Sequence, residues 1–180
     1  MKPHRVVLPA LAMAAIVLLS NVLVQFPISA WLTWGAFAYP VTYLVTDVCN
    51  RVAGPSLARQ VAWIGFATGL TCSALMAPVR IAVASGGAFI VSQLLDVAVF
   101  NRLRQQSWWK APLLGSAAAS VVDTAIFFSL AFAGSAFSWW HLAAGDLGVK
   151  LAMAFVLLPP YRILVTRLTK PGAQRLKLTP

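Results

Sequence analysis

The sequence predicts an all-α membrane protein in which six helices cross the lipid bilayer and both termini are cytoplasmic. The 180-residue chain is 60% hydrophobic and only 10% charged, whereas a soluble domain is about half apolar and about a quarter charged. Its apolar segments approach the roughly 20 residues that a helix needs to cross the hydrocarbon core. Residues 1–180 are therefore expected to form a single transmembrane domain with a short basic C-terminal tail.

The six predicted spans follow one another with connections too short for a soluble domain. The first span follows a basic N-terminus but is too long for a signal peptide, and no small-residue cleavage site follows it. Pro40 is expected to kink the second span, while Gly86 and Gly87 either break the fourth span or form a packing notch in it. The spans comprise residues 6–26, 30–48, 60–77, 81–100, 111–133 and 144–165.

The distribution of basic residues predicts the orientation of the chain. Fourteen lysines and arginines against four acidic residues give a net charge of +10. Such a charge suits nucleic-acid binding or the cytoplasmic loops of a membrane protein, and the apolar content favours the second. All the basic residues except Arg80 and Lys150 lie at the termini or in the loops of one side. We therefore expect both termini to be cytoplasmic.

The positions of the cysteines and histidines indicate neither a disulfide nor a metal site. Cys49 and Cys72 lack a partner-like spacing, and His4 and His141 form no ligand cluster. No nucleotide-binding motif is present, so direct use of ATP by this chain is not expected. The sequence therefore predicts no cofactor.

The acidic residues lie inside or beside apolar spans, where ionisable side chains are costly and usually functional. Asp123 lies near the middle of the fifth span and either binds a substrate or ion, or forms a structural hydrogen bond to a neighbouring helix. Lys150 in the sixth span could reach Asp123, or extend outward to the membrane surface. Asp146 precedes Lys150 by four residues, which is a favourable order on a helix.

Two further spans carry polar stripes at helical spacing. Asp96 on the fourth span either faces a cavity or reaches interfacial water. Asp47 on the second span either belongs to a functional face or forms an interfacial salt bridge with Arg51, four residues later. The stripe on the fourth span comprises Phe89, Gln93, Asp96 and Phe100, and that on the second comprises Tyr39, Tyr43, Asp47 and Asn50.

Polar stripes with interleaved aromatic side chains predict a cavity for a small, flat, polar molecule. A carboxylate can accept hydrogen bonds from two adjacent N–H groups, and an amide can read a carbonyl group and a ring nitrogen. Aromatic side chains stack on the face of a base. A purine-like base is therefore a chemically suitable ligand.

Four blocks of the sequence resemble the queuosine precursor transporters, also described as vitamin-uptake-transporter-like proteins. The most specific part of this resemblance is the pattern S-Q-x-x-D-V-x-x-F followed by a span with x-D-T. Many members have Asn-Glu where this chain has Asn50-Arg51, and the arginine is typical of a proteobacterial subgroup. The blocks are TDVCNRVAGPSLAR (46–59), VRIAVASGGAFIVSQLLDVAVFNRLRQ (79–105), WWKAPLLGSAAASVVDTAIFF (108–128) and DLGVKLAMAFVLLPPYR (146–162).

The resemblance implies a six-helix carrier in the bacterial inner membrane for 7-cyano-7-deazaguanine or 7-aminomethyl-7-deazaguanine, which are salvaged to make queuosine in tRNA. Its partners would be this purine-like substrate and the lipid bilayer, with no nucleic acid, and a homodimer is compatible with it. The family motifs fall on Asp47, Arg80, Ser92, Gln93, Asp96, Phe100, Asp123, Thr124, Lys150 and Pro159.

Together these observations give a set of candidate substrate-binding residues. Asp96 and Asp123 would hold the N–H edge of the base and Gln93 its carbonyl edge, with aromatic side chains stacking on its face. A buried aspartate could also carry a proton, although facilitated diffusion with intracellular trapping is equally open. The candidates are Asp47, Asn50, Arg80, Phe89, Gln93, Asp96, Phe100, Asp123, Thr124 and Lys150.

Three other function classes are compatible with some of these features. A substrate-binding subunit of a multi-component vitamin importer would need separate ATPase and scaffold chains. An intramembrane enzyme is disfavoured because the spans contain no G-x-G-D pattern, no Ser-His pair and no H-E-x-x-H zinc site. A purely structural assembly protein would explain the apolar packing but not the repeated charged stripes.

Overall fold

The computed structural model describes residues 4–29, 32–135 and 138–169, and it has an all-α architecture apart from one short hairpin. The predicted basic C-terminal tail lies outside the described residues. The helices are α1 (His4–Leu23), α2 (Gly35–Ala38), α3 (Val41–Ala53), α4 (Pro55–Met76), α5 (Val79–Leu103), α6 (Lys110–Phe132), α7 (Trp140–Val156) and α8 (Leu158–Thr169), and the strands are β1 (Pro27–Ser29) and β2 (Leu32–Thr33).

Several of these helices can cross a membrane. Within the described residues, α1 from Val6, α5 and α6 are long and apolar enough, and α7 with α8 passes the same test as one bent span. The chain is therefore a multi-pass membrane protein with three or four clear spans. The helix α4 is of similar length but includes Arg59 and Gln60, so the full set of six spans stays a prediction.

Side-chain contacts show that the helices run alternately between two ends of a bundle. Ser73 near the end of α4 donates to Asn21 near the end of α1, at 2.9 Å. These groups lie at the end of the bundle that carries the β1–β2 pair, which we call the hairpin end. At the other end, Arg51 of α3 donates to the carbonyl oxygen of Arg104, at 2.9 Å. We call this the basic end because Arg51, Arg59, Arg102, Arg104 and Lys110 lie on the helix ends there.

The predicted second span, 30–48, is wrong in its first part. β2 and the short α2 precede Pro40, and a regular helix begins only at Val41. Proline lacks an N–H group and clashes with the preceding turn, so the expected kink is a break between α2 and α3. The predicted span 144–165 is likewise broken at Leu157, where α7 and α8 meet at 42°. Pro159 and Pro160 in the first turn of α8 cannot donate to the last turn of α7.

The α5 helix lies at the centre and packs against α3, α4 and α6. It is continuous through Gly86, so the glycines do not break it. A Cβ atom on Gly86 would lie 3.1 Å from Leu70 and 3.3 Å from Phe66 of α4. The packing notch is thus the correct one of the two interpretations, because a missing side chain lets these helices approach closely.

Candidate substrate cavity

A cavity of about 130 Å³ lies among α1, α2, α4, α5, α6 and α7, in the half of the bundle nearest the hairpin end. Small-molecule sites are typically lined by apolar and aromatic groups with a few placed polar groups, and this cavity has that composition. Its lining includes the aromatic residues Tyr39, Phe66, Phe89 and Phe127 and the polar residues Asn21, Asp123, Asp146 and Lys150.

One lysine and two aspartates form an ion trio in this lining. Lys150 Nζ lies 2.7 Å from Asp123 Oδ2 and also binds Asp146. The predicted Asp123–Lys150 pair is therefore confirmed, and the alternative in which Lys150 extends outward is wrong because the residue is buried. Two carboxylates and one ammonium group leave the ion trio, Asp123, Asp146 and Lys150, with one excess negative charge.

Asp123 is held by residues of two other helices, α5 and α7, and by Tyr39 at the break between α2 and α3. Its Oδ1 atom accepts hydrogen bonds from the Tyr39 hydroxyl at 2.6 Å and from the Ser92 hydroxyl at 3.1 Å, and Lys150 occupies Oδ2. The Lys150 ammonium group also lies 5.0 Å from the centre of the Tyr39 ring, a cation–π geometry. Charged side chains inside a membrane protein are usually paired with one another and hydrogen-bonded, as Asp123 and Lys150 are here.

Asp146 is the member of the ion trio that is open to the cavity. Its side chain is 20% exposed, against 5% for Asp123. Thr124 donates to Asp146 Oδ2 at 2.9 Å, which holds the carboxylate in place. Sequence reasoning identified Asp146 only as a partner of Lys150. Its position one helical turn from a deep lysine was the signal that could have placed it in the site.

The Gln93 side chain faces α3 instead of the cavity. Its amide nitrogen donates to the Thr42 hydroxyl at 2.8 Å, and its carbonyl oxygen accepts from the Thr46 hydroxyl at 3.0 Å. Asp96 accepts from the same Thr46 at 3.3 Å and is fully buried, so the interpretation in which it reaches interfacial water is wrong. The Gln93 and Asp96 part of the stripe on α5 is covered because α3 packs directly on it.

Asp47 also lies outside the cavity, at the contact of α3 with α5 and α6. Ser116 of α6 donates to its Oδ2 atom at 3.4 Å. The alternative Asp47–Arg51 salt bridge is not formed among the described residues, because Arg51 instead donates to the Tyr161 hydroxyl and the Arg104 carbonyl oxygen. A narrow second cavity of about 10 Å³ separates Asp47 from Lys150.

Three more candidate residues lie away from the cavity. Asn50 Nδ2 donates to the Val97 carbonyl oxygen at 3.1 Å and ties α3 to α5 near the basic end. Phe100 is buried there, with the Arg51 guanidinium 5.2 Å from its ring centre. Arg80 lies at the hairpin end and donates to the carbonyl oxygens of Leu130 and Ala133.

The structure therefore divides seven of the ten candidate residues between two regions and leaves Asn50, Phe100 and Arg80 outside both. Phe89, Asp123 and Lys150 line the cavity, and Thr124 binds Asp146 and Lys150 beside it. Asp47, Gln93 and Asp96 form a separate polar contact between α3, α5 and α6. Tyr39 belonged to a predicted stripe but not to the candidate set, although its hydroxyl now proves to bind Asp123.

Comparison with known proteins gives the same family as the sequence blocks. Residues 33–79 and 73–164 match a family described as putative vitamin uptake transporter. The chain is 36% identical to the queuosine precursor transporter of Escherichia coli (strain K12), over 87% of this chain and 84% of that protein. The chain belongs to the queuosine precursor transporter family.

Two further relatives are named probable queuosine precursor transporters. The queuosine precursor transporter family protein of Haemophilus influenzae is 34% identical over 71% of this chain and 66% of its own length. The Bacillus subtilis (strain 168) protein is 31% identical over 71% of this chain and 69% of its own length. No solved structure matches the chain. As a member of this family the protein is a membrane transporter and not an enzyme, as the sequence predicted.

Proposed function

We propose that the protein imports the queuosine precursors 7-cyano-7-deazaguanine and 7-aminomethyl-7-deazaguanine across the bacterial inner membrane, by secondary or facilitated transport. The observation that carries the proposal is the cavity with aromatic walls and the ion trio in its lining. The similarity to proteins named queuosine precursor transporter supplies the class of cargo. The basic residues at one end support an orientation in which the hairpin end faces outward.

The groups around the cavity match the chemistry of a deazaguanine base. Such a base presents adjacent N–H donors on one edge, and Asp146 is the carboxylate with free surface toward the cavity. The flat rings would stack against aromatic side chains, for which Phe89 and Phe127 are placed. The excess negative charge of the ion trio also suits the protonated aminomethyl group of the second precursor.

Broken helices near the cavity support transport as opposed to simple binding. Irregular backbone at membrane depth is tolerated where it lines a cavity or is buried in protein, and discontinuous helices are common at the substrate sites of transporters. Tyr39 lies at the break between α2 and α3, and Leu157 lies at the break between α7 and α8. Tyr39 lines the larger cavity, and Leu157 lines the narrow second cavity.

An uptake assay tests the proposal. Cells that can neither make the precursor nor import it would express this protein and receive nanomolar 7-cyano-7-deazaguanine, and queuosine in tRNA would be measured. We expect queuosine to be restored by the wild type and lost with Asp123→Asn, since the substitution removes the charge that holds Lys150. Asn101→Asp, which makes the reverse change at an exposed position, is the matched control and should restore queuosine.

Each outcome distinguishes a part of the proposal. No restoration by wild-type protein that reaches the membrane would overturn precursor import by this chain alone, and co-purification of an ATPase would then identify a subunit of a larger importer. Restoration that persists in Asp123→Asn would overturn the role of the ion trio but leave precursor import intact.

A further inference from the structure

We propose that Asp47 and Asp96 together hold one transferable proton, and that this carboxyl pair is the site that couples precursor uptake to proton entry. The inference rests on the proposed function, because it names the ion that would drive it. The carboxyl pair, Asp47 and Asp96, is separate from the cavity that would bind the base.

The arrangement of Asp47 and Asp96 favours a proton shared between their two carboxyl groups. Asp47 Oδ1 and Asp96 Oδ1 are buried, and no N–H or O–H group of the described residues donates to either oxygen. Both carboxyl groups lie against the same turn of α6, where Ser116 donates to Asp47 Oδ2 and a Cβ atom on the adjacent Gly115 would lie 2.7 Å from Asp96 Oδ1. A hydrogen bond between two carboxyl groups needs a proton on one of them, and ionising both of two neighbouring buried carboxyl groups is energetically costly. One shared proton satisfies both unpaired oxygens.

The surroundings hold the two groups together. Thr46 and Ser116 each donate to the outer oxygen of one carboxyl group. On the far side, a Cβ atom on Gly115 of α6 would lie 2.7 Å from Asp96 Oδ1. The absence of a side chain at Gly115 therefore allows α6 to lie directly against the Asp96 carboxyl group.

A second buried group points to a path for the proton. Tyr43 is 1% exposed, and its buried hydroxyl has no hydrogen-bond partner among the described residues. It lies within electrostatic reach of both Asp123 and Asp96, and Tyr43 lines the narrow second cavity together with Asp47 and Lys150. The hydroxyl thus stands between the ion trio and the carboxyl pair, where it can relay a proton from one region to the other.

The charged and titratable groups that face the carboxyl pair come from several elements. From α3 itself come Arg51 and Tyr43, from α7 comes Lys150, and from α8 comes Tyr161. The α6 helix contributes the Ser116 hydroxyl and the close approach at Gly115. With one proton bound, the carboxyl pair carries one negative charge, and Arg51 forms no salt bridge with it because it donates to Tyr161 and to the Arg104 carbonyl oxygen.

The transport step conserves charge and protons. A proton from the outer side neutralises one carboxyl group of the pair while the base binds in the cavity. On the inner side the O–H bond breaks, the proton leaves to water, and two carboxylates face each other. Once the base has also left on the inner side, this repulsion loosens the contact of α3 with α5 and returns the empty carrier to its outward state, where a new proton binds from outside. One proton enters with each base, and no other reactant is needed.

Purified full-length protein in sealed liposomes provides the test, with labelled 7-cyano-7-deazaguanine outside and the membrane potential clamped. We expect accumulation only when the outside is acidic, approaching about tenfold per pH unit at one proton per base, and loss of accumulation with a protonophore. Asp96→Asn and Asp47→Asn should abolish accumulation but keep exchange of labelled for unlabelled base, since asparagine retains the hydrogen bonds without the transferable proton. Ser129→Ala, at an exposed position of α6 and outside both clusters, is the matched control and should keep accumulation.

A measurement on the wild type guards against variants that fail to fold. Addition of 7-cyano-7-deazaguanine to lightly buffered liposomes should raise the external pH in proportion to uptake. Uptake that ignores the pH gradient and moves no protons would overturn the inference and leave precursor transport standing. Loss of exchange as well as accumulation in folded Asp47→Asn and Asp96→Asn would also overturn it, by making these residues part of the substrate site. Absence of both uptake and exchange in the wild type would instead overturn the proposed function.

Discussion

Two clusters of buried aspartates differ in how their negative charges are compensated. In the ion trio, Lys150 neutralises Asp123 directly and Asp146 in part, and the charges are compensated within the protein. In the carboxyl pair, Asp47 and Asp96 have hydroxyl donors but no salt bridge among the described residues, and each keeps an oxygen without a donor. A compensated cluster can stay charged beside a substrate, whereas an uncompensated pair depends on a proton. We therefore assign cargo binding to the first and coupling to the second.

Lys150→Met should have the largest effect, because it converts the ion trio into a second uncompensated pair of carboxylates. Breaking a buried ion pair costs about 3–5 kcal/mol, so we expect a large loss of stability and of precursor uptake. Thermal unfolding in detergent and cellular uptake would measure the two effects. Lys110→Met, at the start of α6 and away from both clusters, is the control.

A double variant sharpens the same comparison. Asp123→Asn added to Lys150→Met restores the original net charge of the trio, so it should recover much of the stability but not the uptake. If the double variant were no more stable than Lys150→Met alone, uncompensated charge would not be the cause of the loss.

Asp146→Asn should lower uptake while leaving the fold intact, since its carboxylate is partly exposed in the cavity. A hydrogen bond to a charged group is worth about 1.5–3 kcal/mol, which corresponds to roughly 10–100-fold in apparent affinity for the precursor. The concentration dependence of initial uptake rates would show it. Because Asp146 is not in the carboxyl pair, the dependence of uptake on the pH gradient should be unchanged, and a lost dependence would contradict the division of roles.

Gly115→Ala tests the carboxyl pair without altering an ionisable group. The added methyl group would collide with Asp96 Oδ1, and overpacking of this kind costs about 1–3 kcal/mol. We expect reduced thermal stability and weakened coupling to the pH gradient. Gly87→Ala on α5 is a matched control, because a Cβ atom there meets nothing within 4 Å. Equal effects of the two substitutions would show that the contact between Gly115 and Asp96 is not the cause of the loss.

Arg80→Gln should have the smallest effect, since Arg80 belongs to neither cluster. It binds the last carbonyl groups of α6, and a cation at a helix C-terminus is worth about 0.3–1 kcal/mol. We expect a slightly lower unfolding temperature and uptake close to that of the wild type. A strong loss of uptake at unchanged stability would instead bring Arg80 into the transport mechanism and add a third functional region to the two clusters.

Composition and motifs are enough to predict the class of protein and several local features. Apolar composition and span length predicted a multi-pass helical membrane protein, and the blocks around Gln93, Asp123 and Lys150 identified its family. Helical spacing also paired Asp146 with Lys150, and depth in the bilayer paired Lys150 with Asp123. These features depend on the chain's own periodicity and on the cost of burying a charge, which local sequence records.

Which polar residues face the cavity depends instead on how the helices pack. The stripe of Gln93 and Asp96 has the same spacing as a cavity lining, but α3 packs on it and takes up its hydrogen bonds. The breaks at Pro40 and Leu157 set where the neighbouring helices lie, and the missing side chain at Gly115 sets how closely α6 approaches α5. A periodic pattern shows which residues share a face of a helix, whereas the neighbour that covers that face depends on contacts between residues far apart in the chain.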